Sequence, residues 1–509
     1  MEFDRSAGVL LHITSLPAPY GIGDLGQSAL DFIDWTARAG LTWWQMLPLG
    51  PAADAAPARI NDPYSSQSSW AGSPLYLSLH ELVKVGDLKN QDIASYKVDG
   101  SKINYLAVTR SRQKLFKLAA KNFFLKQNRT TKQVFTSFCR KEAHWLDDWA
   151  LFSAAKEVFL NKPWWEWPID FKQRNKRALT LFSKEYQDII QVAKYIQFRW
   201  FEQWARLKAY AKKKGVGLIG DVPIYCAADS VDVWAAPKMF KLRADGQPRA
   251  VAGVPPDYFS RDGQLWGTPV YDWAANARDG FRWWIWRLKG YLRTVDVARV
   301  DHFRGFEAYW EIPFPAKNAR KGKWVKGPGH AFFAAVRKAL GEVPLIAEDL
   351  GFITGAVNEL RAKWELPGMR VTQFAFSGNP RNCHLPMWHE TNSVAYTGTH
   401  DNETSLGWYK NARKEIKEHF RFYTGSDGKT PHTDLLKFTF SSVARLAVVP
   451  VQDVLGLDNR ARVNTPGQHT GLYRWKLKQG QLSLASADTL RYLAERYARV
   501  PGLQKKQWV

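Results

Sequence analysis

Short apolar runs that end on a polar or charged residue recur along the chain. Eight of them read as buried parallel strands: GVLLHI (8–13), TWWQMLP (42–48), GLIGDV (217–222), VDVARVD (295–301), VPLIAED (343–349), MRVTQF (369–374), SVAYTGT (393–399) and LAVVPVQD (446–453). Most are rich in β-branched and aromatic residues. Between many of them the spacing of apolar positions changes to that of a helix. QSALDFIDWTARAG (27–40) and DIIQVAKYIQFRWFEQWARLKAYAKKKG (188–215) are two such stretches, the second ending in Gly after a basic last turn. Eight alternations predict an α/β chain folded as a (β/α)8 TIM barrel, with its active site at the C-terminal ends of the strands. A doubly wound open sheet is the alternative, and no phosphate-binding glycine fingerprint supports it.

Two connections are too long to be simple loops. Residues 49–185 are expected to form an insertion subdomain after the second strand, a Pro-, Ser- and Asn-rich loop followed by a basic helical region from about 103 to 186. Residues 223–275, rich in Gly, Pro, Tyr and Trp, follow the third strand and are expected to form part of the cleft. Long segments at the catalytic face are usually functional. The whole chain, 1–509, is read as one catalytic domain, with no internal repeat or low-complexity tract.

Composition narrows the class. An apolar fraction of 45% and a charged fraction of 24% describe an ordinary globular protein with material for a large core. The opening MEFDRSAGVLLHITSLP carries early acidic residues and only a very short apolar stretch, which argues against a secretory signal. No apolar run approaches the roughly 20 residues that span a bilayer. Cys139, Cys226 and Cys383 are odd in number and far apart, which fits a reducing cytoplasm and neither a disulfide framework nor a zinc site. The net charge of +24 is spread along the chain, with clusters at KKKG (212–215) and NARKGKWVKG (318–327), and no nucleic-acid module accompanies it. It reads as a solvated surface, so neither nucleic acid nor membrane is expected as a partner. The 24 tryptophans could pack in the core or stack on sugar rings, and most are expected in the core.

Candidate chemistry gathers at three strand ends. In ARVDHF (298–303), Arg299 and Asp301 are two residues apart and so share a face of the strand. A neighbouring guanidinium keeps a carboxylate ionised, as a nucleophile requires; a structural salt bridge explains this pair equally well. In PLIAEDLG (344–351), Glu348 and Asp349 must point oppositely, and the apolar flank of Glu348 favours a raised pKa and a general acid. A buried acid paired with a nearby base is the plain alternative. VAYTGTHDNET (394–404) ends on His400 and Asp401, which could bind sugar hydroxyls, with Gly398 permitting a tight backbone. Three carboxylates at the ends of strands four, five and seven form the constellation that glycoside chemistry needs. His384 and His389 lack the spacing of a helical metal pair, and neither a G-x-S-x-G nor a Walker-type loop is present.

These residues lie in blocks that resemble the amylomaltases, or 4-α-glucanotransferases, of glycoside hydrolase family 77. The blocks are ITSLPAPYGIGDLG (13–26), NDPYSSQSSWAGSP (61–74), IGDVPIY (219–225), DVWAAPKMF (232–240), VAGVPPDYFSRDGQLWGTPVYDW (251–273), ARVDHFRGFEAYWEIP (298–313), WVKGPG (324–329), IAEDLG (346–351), YTGTHDN (396–402), QDVLGL (452–457) and RVNTPG (462–467). The resemblance runs nearly end to end and is weakest across about 80–186. It implies Asp301 as nucleophile, Glu348 as acid/base and Asp401 as transition-state stabiliser. It further implies sugar contacts from Asp221, Arg299, His302 and His400, aromatic contacts from Tyr64 and Trp266 on two loops over the cleft, and a structural or binding role for Asn464. Asp62, Ser73, Cys226, Thr268, Ser377 and Val463 depart from the family pattern and bear on subsite affinity. The implied reaction moves α-1,4-glucan segments from maltooligosaccharides, starch or glycogen to the 4-hydroxyl of an acceptor, by a retaining double displacement with no cofactor or metal. A monomer or weak homo-oligomer is expected. The rival readings are an α-amylase-type hydrolase, which shares the triad, and a glucan-binding protein that has lost activity.

Overall fold

The computed structural model describes residues 3–52, 61–98, 100–256, 260–468 and 470–502. Parts of both insertions (53–60, 99 and 257–259) lie outside the described residues. Twelve strands occur among the described residues: β1 Ser6–Leu10, β2 Trp43–Gln45, β3 Gly217–Val222, β4 Ala250–Val254, β5 Gln264–Pro269, β6 Val297–Val300, β7 Ala308–Pro313, β8 Lys323–Lys326, β9 Leu345–Ala347, β10 Gly368–Val371, β11 Ser393–Tyr396 and β12 Leu446–Pro450. Eight of them make one parallel sheet in the order β10-β11-β12-β1-β2-β3-β6-β9. Each of the eight predicted strands is there, most of them shorter than its apolar run. The MRVTQF run leaves the sheet at Thr372 to form a 3-10 turn, and LAVVPVQD turns helical at Val451 once Pro450 ends the ladder.

The sheet closes between β9 and β10, making the (β/α)8 barrel. The Ala347 N–H donates to the Pro367 carbonyl at 2.9 Å, and the Asp349 carboxylate accepts the Met369 N–H at 2.6 Å. Asp349 also lies 3.2 Å from Arg361 and 3.2 Å from Arg370. Gly368 makes this possible, because a Cβ there would lie 2.4 Å from Asp349 Oδ2.

Residues of alternate parity divide the core in two. Leu10, Ile219, Val297, Ile346, Met369, Val371, Val394, Tyr396, Leu446 and Val448 fill the barrel interior. Val9, Leu218, Ala298, Val300, Leu345 and Ala347 face the surrounding helices. Burial of each large apolar side chain contributes about 1.5–3 kcal/mol, so both layers hold the strands in register.

The 49–185 insertion supplies helices Tyr105–Lys126 and Arg129–Val158, which pack on Gln187–Lys213. That last helix buries Phe198, Trp200, Trp204, Leu207 and Ala211 along one stripe. Its Gln197 side chain donates to the Gly72 carbonyl and accepts the Gly72 N–H, both at 2.9 Å, which docks the segment after Tyr64 onto the barrel. The second insertion is not only loop. β4 and β5 join β7 and β8 in an antiparallel sheet of order β5-β4-β7-β8. Among the described residues no helix is long and apolar enough to cross a membrane.

Candidate active site

The parity that builds the barrel core also builds its mouth. Ile219 leads two residues on to Asp221, Val297 to Arg299 and then Asp301, and Ile346 to Glu348, so each interior row changes from apolar to charged as it nears the C-terminal rim. Asp349, one residue out of step, is the carboxylate spent on the barrel seam, and Glu348 is the one left for the cleft.

Arg299 is the centre of the charged group. Its Nη1 donates to both Asp221 oxygens at 2.8 and 2.6 Å, and its Nη2 lies 3.0 Å from Asp301 Oδ1. The Asp221 side chain is 0% exposed, whereas those of Asp301 and Asp401 are 30% and 42% exposed, so the latter two open to the cleft. Complete burial pushes the Asp221 carboxyl up, and Arg299 and the Tyr64 hydroxyl oppose that push. Gly220 lets the Tyr291 hydroxyl reach the Asp221 backbone, accepting its N–H and donating to its carbonyl at 2.8 Å each; a Cβ at Gly220 would lie 2.5 Å from that hydroxyl.

Tyr64 carries the network across the barrel mouth. Its hydroxyl donates to Asp221 Oδ2 at 2.8 Å, and its ring stacks on His400 at 5.0 Å and 13°. His400 Nε2 lies 3.2 Å from Asp401 Oδ1, which also accepts a hydrogen bond from the Asn464 amide. Burial lowers the His400 pKa, opposed by Asp401.

Glu348 is held differently, by backbone. Oε2 accepts the His302 N–H at 2.7 Å, and Oε1 accepts the Leu350 N–H at 2.8 Å. Burial pushes its carboxyl up to about 8; Arg299 pulls it down and Asp301 pushes it further up. The His302 N–H can point there because the residue is left-handed, φ 52° and ψ 48°, a conformation that costs a non-glycine residue about 1–3 kcal/mol. Burial, with Arg304 nearby, pushes the His302 imidazole down to about 3, so the ring is neutral near pH 7. Its Nε2 has no hydrogen-bond partner among the described residues. Trp266 meets this ring edge-on at 4.8 Å and 88°. Trp266 was expected on a loop and lies instead on β5, at the register shift in its pairing with β4.

The ten candidate residues thus lie at the barrel mouth and its rim in two linked sets, Asn464, Asp401, His400, Tyr64, Asp221, Arg299 and Asp301 in one and Glu348, His302 and Trp266 in the other. Two supports were missed. Arg462 donates to the carbonyls of Asp401 and Asn464, both at 2.7 Å. Buried Asp453 accepts from Thr397 Oγ1 at 2.6 Å and the Ser405 N–H at 2.7 Å, tying down both ends of the loop that carries His400 and Asp401. Asp453 ends the eighth apolar run as Asp301 ends the fourth, and that position was its signal. Of the departures, Cys226 is buried with its sulfur 3.6 Å from the Tyr271 hydroxyl, and burial pushes its thiol up to about 11, so it packs as a neutral group. Among the described residues no group of three or more His, Cys, Asp or Glu side chains could hold a metal ion.

A parallel eight-stranded barrel with carboxylates at several strand ends defines a barrel enzyme built for polar substrates at its C-terminal mouth. The sequence profile described as 4-alpha-glucanotransferase, glycoside hydrolase family 77, matches residues 11–482. The 4-alpha-glucanotransferase of Streptococcus pneumoniae is 42% identical over 501 residues, covering 97% of this chain and 98% of its own. That of Thermus thermophilus is 42% identical over 508 residues, covering 98% and 100%. The amylomaltase of Streptococcus agalactiae, solved with acarbose, superposes with a TM-score of 0.94 at 34% identity, covering 97% of this chain and 99% of its own. The chain belongs to glycoside hydrolase family 77, and its activity is that of a 4-α-glucanotransferase.

Proposed function

We propose that the enzyme moves α-1,4-glucan segments by a retaining double displacement. Asp301, beside the Arg299 guanidinium, attacks the anomeric carbon while Glu348 protonates the departing glycosidic oxygen. The bond to that oxygen breaks as the Asp301–carbon bond forms, and the shortened glucan leaves as an alcohol. Glu348, now ionised, takes the proton of an incoming 4-hydroxyl, whose oxygen displaces Asp301 and restores the configuration. Asp401, oriented by His400 and Asn464, grips ring hydroxyls as positive charge grows on the anomeric carbon. Asp221, Arg299 and the neutral His302 bind the sugar on the side that keeps the enzyme bond. One contrast carries the division of labour: Asp301 faces a guanidinium at 3.0 Å, whereas burial pushes the Glu348 carboxyl up to about 8.

Transfer demands that a sugar beat water at the intermediate. Water is about 55 M and an acceptor a few mM, so the acceptor site supplies a preference of about 10⁴, roughly 5–6 kcal/mol. Tyr64 and Trp266 contribute by stacking and by excluding water. The substrates we assign are maltooligosaccharides and starch- or glycogen-derived glucans, met in the cytoplasm by a monomer or weak homo-oligomer without nucleic acid or membrane. The acarbose-bound amylomaltase relative supports the glucan assignment. The 1–509 chain acts as one catalytic unit, with 49–185 an insertion subdomain after the second strand and 223–275 an insertion that forms part of the cleft.

Incubation of the purified protein with maltotriose alone tests this reading. Glucose together with maltopentaose and longer chains is expected. Glucose and maltose without longer products would instead identify an α-amylase-type hydrolase, and unchanged maltotriose an inactive glucan binder.

A further inference from the structure

On the rim beside Glu348, two large aromatic side chains stand in solvent. Phe352 is 69% exposed and Trp324 39% exposed. Both lie on connections that follow barrel strands and so belong to the C-terminal face: Phe352 comes four residues after Glu348, and Trp324 lies on β8 in the segment after β6. Single exposed apolar residues are common and mean little. These two are ordered as a pair, with rings within 26° of parallel and centroids 6.5 Å apart.

Arg304, three residues after Asp301, holds them there. It is 5% exposed, with its guanidinium carbon 3.9 Å from the Trp324 ring centroid and 5.7 Å from that of Phe352. Its Nη1 donates to the Phe352 carbonyl and its Nε to the Ala308 carbonyl at 3.3 Å, fixing the loop after Glu348 to the loop after Asp301. Trp310 packs edge-on against Trp324 at 5.3 Å. A buried cation and a second indole therefore hold two apolar faces open to water, an arrangement the core does not need. Ordered flat apolar rings beside a glucan-cutting centre match the apolar C–H face of a glucopyranose ring.

We propose that Trp324 and Phe352 form a sugar platform on the acceptor side of the cleft, gripping a linear α-1,4-glucan beyond the glucose unit that adjoins the reacting bond. This rests on the assignment of Glu348 as the acid/base, because the leaving glucan departs and the acceptor arrives past that carboxyl. A lone glucose placing its 4-hydroxyl at Glu348 fills the adjoining position and does not reach the platform. A longer acceptor does. The pair thus sets preference for acceptor length.

The test uses α-maltosyl fluoride as donor, since fluoride leaves without occupying the acceptor side, and compares glucose with maltotriose as acceptors in the full chain. Phe352→Ala and Trp324→Ala are each expected to lower the ratio of kcat/KM for maltotriose over glucose about tenfold, the loss of one sugar face buried against a ring. Trp324→Phe is expected to retain most of the wild-type ratio. A ratio within about twofold of wild type in both alanine variants overturns the proposal. Phe352 is exposed enough that its truncation reads out even where Trp324→Ala unfolds. Wild-type enzyme whose fluoride release ignores both acceptors would instead contradict the transfer reading itself.

Discussion

On the Asp221 side of the cleft, Arg299 grips one carboxylate with two hydrogen bonds and reaches a second, Tyr64 joins Asp221 to His400, and His400 meets Asp401. On the Glu348 side, backbone N–H groups hold the carboxyl and two rings face solvent. The first wall has its electrostatics assembled before substrate arrives, which suits a sugar held through both half-reactions. The second leaves its binding groups free, which suits a position emptied by one glucan and refilled by another. A transferase needs that asymmetry.

The largest expected effect breaks the open wall. Glu348→Gln should lower kcat on maltooligosaccharides by roughly 10²–10⁴, and far less on a glycosyl fluoride whose leaving group needs no proton. The pH dependence has a definite sign. The raised Glu348 pKa keeps the acid protonated at neutral pH, so the wild-type rate should fall as pH rises through about 8. The Gln variant should lack that alkaline limb in a stopped-flow pH series.

Next in size is a stability effect on the closed wall. Arg299→Met leaves the Asp221 carboxylate buried without its cation and should cost about 3–5 kcal/mol in urea unfolding. Adding Asp221→Asn should recover part of that loss, because the stranded charge is gone. Equal loss in the single and double variants would mean that Arg299 acts mainly by packing.

A smaller change should follow Trp266→Ala. Opening the site beside His302 to water should raise the hydrolysis-to-transfer ratio about fivefold, equivalent to ~1 kcal/mol. Product analysis after maltotriose incubation reads this directly, and an unchanged ratio removes the indole from water exclusion.

How far this asymmetry was legible follows from its parts. The barrel and the closed wall rest on a two-residue period that the chain displays openly, in Ile219–Asp221, Val297–Arg299–Asp301 and Ile346–Glu348. The same period separates Glu348 from Asp349 without any coordinates. The open wall is less visible. Lys323–Lys326 reads as part of a basic cluster, yet it forms an edge strand because β7, outside the eight apolar runs, offers a partner. Trp266 reads as loop for the same reason, since β5 exists only by pairing with β4. The left-handed backbone of His302 has only a weak local signal, because His is enriched at positive φ among non-glycine residues but is not one of the usual turn residues. Arg462 and Asp453 act through loops whose proximity to Asp401 is wholly tertiary.

The most direct measurement is a trap for the covalent step. A 5-fluoro-α-glycosyl fluoride should accumulate on the enzyme, and peptide mass mapping should place the added sugar on the peptide bearing Asp301, with no adduct in Asp301→Asn. A sugar attached to Glu348 or Asp401, or prompt turnover with no adduct under conditions that slow the second step, would contradict the division of roles between the two walls.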